Sequence, residues 1–160
     1  MEKKLLITLP LFFFGLVWGQ DSDVDKLWIK LNENISIISE NQGELFALQK
    51  EFIDGRSINW EVAKSLNERN SSVMTCMTDI SFLFAIYGNL DTEKSRKHTI
   101  SYMSEKNETI RANRISMKES LFYSENNQLT YVGNELVKNL KKVTEDNDEL
   151  ISILKSIVKP

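Results

Sequence analysis

Side chains able to do chemistry are sparse in this chain of 160 residues, which has one cysteine, Cys76, and one histidine, His98. A single Cys excludes a disulfide framework within the chain and any multi-cysteine metal site. A single His excludes a His-cluster metal site. His98 ends the basic stretch Lys94-Ser95-Arg96-Lys97-His98, with no nucleophile, orienting acid or ligand partner beside it. It reads as a solvated surface residue. Met74-Thr75-Cys76-Met77 carries soft sulfur atoms of the kind that suit Cu(I). Its spacing is not specific to a metal site, and Met and Cys are ordinary core fillers. Core packing is therefore the expectation here, with an interchain disulfide as the other use of a lone thiol. Glu145-Asp146-Asn147-Asp148-Glu149 lacks the Gly and the alternating ligand order of a calcium loop and reads as a solvated helix face. There is no glycine-rich phosphate loop, serine-nucleophile elbow or paired-carboxylate motif. The expectation is a protein that is not an enzyme and takes no cofactor or metal.

The remaining polar candidates interrupt apolar stripes: Gln42, Gln49, Arg69, Asn107, Arg114 and Asn147. If successive segments run antiparallel, Gln42, Arg69 and Arg114 fall near one level, and Asn107 and Asn147 share another. A buried Arg needs a paired acceptor. Single polar positions in a helical seam commonly set register, and Arg at a stripe edge snorkels to water. That structural use is the leading expectation. The alternative is a small-anion or sensor site in which Arg69 and Arg114, helped by Gln42, present planar donors to a carboxylate or phosphate.

These residues need long helices to position them. Apolar residues recur in steps of three, four or seven through Leu31, Ile35, Ile38 and Leu45. Such steps also run through Val62, Leu66, Val73, Ile80 and Leu83, then Ile100, Met103, Ile110 and Met117, then Leu129, Val132, Leu136, Leu140, Val143 and Leu150. The four segments span roughly Val24–Phe52, Ile58–Tyr87, from Asp91 or Thr92 to Leu121, and from Asn126-Asn127 to Ile157. Ser22 and Asp91 or Thr92 are able caps, and Asp54-Gly55 and Gly88-Asn89 are stops. The only prolines are Pro10 and Pro160, which suits a chain built almost wholly of helix. Heptad spacing with short connections predicts an all-α, elongated up-down-up-down four-helix bundle. The fallbacks are a three-helix bundle with a protruding hairpin or an intermolecular coiled coil. The break at Ser124–Asn127 has no Gly or Pro, which leaves open a single bent helix for the third and fourth segments.

In that arrangement apolar residues are in excess at one end. Trp28 of the first segment, Phe82 and Ile86 of the second, and Ile153 and Ile157 of the fourth gather there as a candidate interaction patch.

Residues 1–19 read as a secretory signal peptide. Lys3 and Lys4 precede the apolar run Leu5–Trp18, and Val17 and Gly19 stand at the −3 and −1 positions of a cleavage site. The run is shorter than the ~20 residues of a spanning helix. An uncleaved anchor is the alternative. Residues 20–160 then form one domain, with no Pro/Gly/Ser-rich linker, and no stable membrane insertion is expected after cleavage. Sequons at Asn34, Asn70 and Asn107 are of the number chance gives in an Asn-rich chain. A formal charge of −3 gives no reason to expect nucleic acid. Hydrophobic content of 41% and charged content of 27% are those of a folded chain. The expectation is an exported, periplasmic or extracellular protein that works through a protein partner or self-association, as an envelope or secretion accessory, a chaperone or an inhibitor.

Overall fold

The structure, a computed structural model, describes residues 22–52 and 57–157. The expected signal peptide (1–19), the Asp54-Gly55 stop and both prolines lie outside the described residues, as does the side chain of Ser22. The described chain is all-helical: α1 (Ser22–Glu51), α2 (Ile58–Tyr87), α3 (Glu93–Leu121) and α4 (Asn127–Ile157). At a rise of about 1.5 Å per residue each helix is about 45 Å long.

Short polar residues set the helix starts. Ser57 Oγ accepts from Trp60 N (3.2 Å), and Thr92 Oγ1 accepts from Ser95 N (3.1 Å), so Thr92 and not Asp91 caps α3. Asn126 Oδ1 accepts from Leu129 N (2.9 Å) at the start of α4. Gly88 ends α2 in the ordinary right-handed region, at φ −63°, without needing glycine's freedom there. The break after α3 is a closed turn. Phe122, Tyr123 and Ser124 donate back to Glu119, Ser120 and Leu121. Thr130 Oγ1 then donates to Ser124 Oγ (2.9 Å). These bonds terminate α3, so α3 and α4 are separate helices and not one bent helix.

Each helix packs on its sequence neighbours, and α1 on α4 closes the ring. Cross-helix bonds show that the neighbours are antiparallel. Ser65, Ser72 and Asp79 ascend α2 as Ser120, Asn113 and Lys106 descend α3. Lys30, Asn34 and Asn41 on α1 meet Glu149, Asp146 and Asn139 on α4. The parallel diagonal pair α2 and α4 is tied by Tyr87, whose hydroxyl donates to Leu154 O (3.1 Å). The core runs the length of the bundle, from Leu31, Phe84, Ile100 and Leu154 at one end to Leu45, Leu66, Met117 and Leu129 at the other. Cys76 and Met77 are buried in it, as the packing reading of that segment expected.

Candidate functional site

The polar interruptions take up two kinds of position. Gln42 lies on the α1–α2 seam. Its Nε2 donates to Asn67 Oδ1 and its Oε1 accepts from Asn70 Nδ2, both at 2.8 Å. Asn67 Nδ2 continues to Gln49 Oε1 (2.8 Å). Asn107 and Asn147 meet between α3 and α4, where Asn147 Nδ2 donates to Asn107 Oδ1 (3.0 Å) and also reaches Met77 Sδ (3.4 Å). Asn107 Nδ2 in turn donates to Thr144 O and Asp148 Oδ1. These amides satisfy one another in the interior, apart from Asn70 Oδ1, which is buried without a partner.

The acidic run of α4 is exposed at Glu145, Asp148 and Glu149, as expected of a solvated face, but it also bonds to both neighbouring helices. Asp146 pairs with Lys30 (2.7 Å) and accepts from Asn34 (3.0 Å). Asp148 holds Asn107 and Arg111, while Asn147 is buried. Alternate residues of the run project to different neighbours, so it closes seams on both flanks of α4.

Arg69 and Arg114 both lie between the Ser65–Ser120 and Ser72–Asn113 rungs of the α2–α3 seam, and both are half-buried. Gln42 is thus at Arg69's height but on the opposite flank of α2, committed to Asn67 and Asn70. Arg69 donates from Nε to Ser65 Oγ (3.4 Å) and lines an open groove of about 520 Å³ between α2 and α3. The hydroxyls of Ser65, Ser116 and Ser120 share that groove, with Glu61 and Glu119 as its acids and Ile58, Phe122 and Tyr123 as its apolar end. The groove therefore holds one cation and two carboxylates, and no ion pair joins them among the described residues.

The expected apolar patch is partly absorbed by the core. Trp28 is half-buried and stacks on Phe84, with ring centroids 5.9 Å apart. Ile153 packs against the core, and Ile86 is half-buried. Phe82, at 64% exposure, and Ile157 face solvent. The opposite end exposes more aromatic surface: Phe122 at 79%, Tyr123 at 66% and Tyr131 at 68%. Stripe counting missed these because they lie at a helix end and on an outer face, off every core stripe. The signal was the Phe-Tyr pair standing in an otherwise polar break.

Burial pushes the Cys76 thiol above its ordinary range; Lys106 opposes this and Asp79 adds to it. The thiol is therefore a poor nucleophile at neutral pH. His98 is exposed. Among the described residues no group of His, Cys, Asp and Glu is placed to hold a metal ion, and no helix is long and apolar enough to cross a membrane. Compared with protein-family models, curated proteins and solved structures, the chain matches none.

Proposed function

We propose that this chain is a non-enzymatic, exported helical protein that acts by protein–protein contact. Its first nineteen residues serve as a signal peptide, and its heptad-spaced helices form a long scaffold delivered to the periplasm or the cell exterior. The observation that carries the reading is the exposed aromatic end of the bundle, where Phe122 and Tyr123 border the α2–α3 groove and Tyr131 stands on the outer face of α4. Large exposed aromatic side chains lose much apolar area to a partner at little entropic cost, and they are enriched in the cores of interfaces. The seams of the bundle are already closed by amide and ion-pair bonds, so the helix faces present a preformed docking surface.

Photo-cross-linking from positions 122, 123 and 131 in the native envelope tests this. Discrete adducts are expected, and Phe122→Ser with Tyr123→Ser should remove those from position 131 while the melting temperature holds. A chain that yields no adduct from these positions would overturn it.

The small-anion reading has one observation in its favour, the half-buried Arg69 with the hydroxyls of Ser65, Ser116 and Ser120 in one groove. Glu61 and Glu119 in that groove oppose it. Its test is a phosphate or citrate titration read by melting temperature, with Arg69→Met plus Arg114→Met abolishing any rise.

A further inference from the structure

We propose that the groove between the start of α3 and the end of α4 binds a phosphate monoester, carried by a small molecule or by a lipid headgroup. Lys97, Ile100, Ser101, Ser104 and Lys155 line an open groove of about 430 Å³ there. Small-molecule sites run from about 300 to 1,000 Å³, so the groove has room for an ester around its anion. Two cations and two hydroxyls line it and no carboxylate does, whereas the α2–α3 groove holds one cation against two carboxylates. The chain as a whole has a formal charge of −3, so this gathering of positive charge runs against its average. Lys94, one turn before Lys97 and exposed, adds to it.

The donors in this groove are largely uncommitted. Lys155 joins no ion pair or hydrogen bond among the described residues. Lys97 pairs with Glu93 one turn before it, and Glu93 does not line the groove. An exposed pair of that spacing contributes little and yields to a doubly charged anion. Ser104 Oγ donates its hydrogen to Ile100 O (2.9 Å) and turns lone pairs to the groove. The Ser101 hydroxyl makes no such bond among the described residues and keeps its hydrogen for a ligand. Two ammonium groups match a phosphate monoester, which carries about −1.5 to −2 at neutral pH. A phosphodiester or a carboxylate brings one charge and engages only half of the pair. Lysine also suits the task, since its compact charge meets phosphate without the planar geometry that arginine imposes.

The groove lies at the end where α1 begins, opposite Phe122 and Tyr123, so this site and the docking reading fail separately. The test is an amide NMR titration of the chain as the cell delivers it with glycerol 3-phosphate, following Ile100, Ser101, Ser104 and Lys155. Saturable shifts at these amides are expected below about 10 mM. The methyl diester of the same ligand should bind about tenfold more weakly. Lys97→Met and Lys155→Met should each weaken binding about tenfold or more, as loss of one charge-assisted bond does. Both residues are exposed, and circular dichroism melts check that the variants fold. Lys118→Met with Lys142→Met removes two exposed lysines away from the groove and should leave binding within about twofold. Flotation with phosphatidylcholine vesicles, with and without phosphatidic acid, distinguishes the sources. Retention that requires phosphatidic acid and is lost in Lys97→Met makes the source a lipid headgroup. Shifts with glycerol 3-phosphate and no such retention make it a soluble ester. Neither shifts nor retention overturns the site. So does a diester that binds as well as the monoester, or a loss in the groove variants no greater than in the Lys118 and Lys142 pair.

Discussion

Asn147 and Asn107 illustrate how much a single amide decides here. Each is buried and each uses the other as partner. Replacing Asn147 with Leu orphans Asn107 Oδ1 and forces an apolar group against it, so urea melts should show a loss of about 1–3 kcal/mol. Replacing both with Leu should recover much of that loss, because it removes the orphaned amide, and Asp148, which loses Asn107 as a donor, is exposed and keeps Arg111. Additive losses in the double variant would show that the pair is not coupled. Titration offers a second check. Burial raises the thiol of Cys76 and, against the opposing charge of Arg96, the phenol of Tyr87. The hydrogen bond to Asp146, followed by that to Glu149, raises the ammonium of Lys30 despite some desolvation. For all three, the unfolded chain releases its proton before the folded one does. Their contribution is full below the ordinary pKa values and falls as pH climbs from about 8.5 through the raised ones. Stability by urea melts should therefore decline between pH 8 and pH 11, and Cys76→Ala should delay the onset. A profile flat to pH 10 would contradict the burial described for these groups.

Among the elements, α1 carries the clearest internal flaw. Gly43 is exposed in mid-helix and a Cβ there would meet nothing within 4 Å. Gly43→Ala should raise stability by about 0.5–1 kcal/mol through helix propensity alone. Gly133 on α4 is the contrast, since a Cβ there would collide with Leu121 Cδ2 and oblige that buried side chain to turn. Gly133→Ala should show a smaller gain than Gly43→Ala, or a loss, and an equal gain would mean that Leu121 yields freely. The helices themselves were legible because Leu31, Ile38 and Leu45, or Ile100, Met103 and Ile110, repeat an apolar spacing that only a helix brings to one side. The buried Asn residues were less legible. Asn34, Asn41, Asn67 and Asn70 sit beside the apolar positions and look solvated until a facing helix supplies an acceptor. Asn70 shows the limit of that arrangement, since its Oδ1 is buried without a partner while its Nδ2 serves Ile38 O and Gln42. Arg69 and Arg114 could be assigned a height from the sequence, but which flank of a helix a side chain takes depends on crossing geometry that residue counting does not contain. That is why Gln42 parts from them.

For the molecule as a whole, the two ends of the bundle divide the exposed apolar surface. Phe82, Ile29 and Ile157 stand at the end where α1 begins, and Phe122, Tyr123 and Tyr131 at the other. The first end was readable because its residues continue helical segments already identified as apolar. The second was not, because Phe122 and Tyr123 derive their exposure from the turn that stops α3. The buried amides also bear on how the chain reaches its folded state. Asn34, Asn70 and Asn107 begin the sequons Asn34-Ile35-Ser36, Asn70-Ser71-Ser72 and Asn107-Glu108-Thr109, and all three are turned inward. Each amide nitrogen that would carry a sugar instead donates across a seam, to Asp146, to Ile38 and Gln42, and to Thr144 and Asp148. A glycan is bulky and must lie at a surface. Sugar attachment during synthesis and closure of these helices are therefore mutually exclusive fates for one molecule. Secreted from a host that glycosylates nascent chains, the protein should divide into a bare, protease-resistant fraction and a glycosylated, protease-sensitive one. Ser36→Ala, Ser72→Ala and Thr109→Ala together should return it to a single folded species.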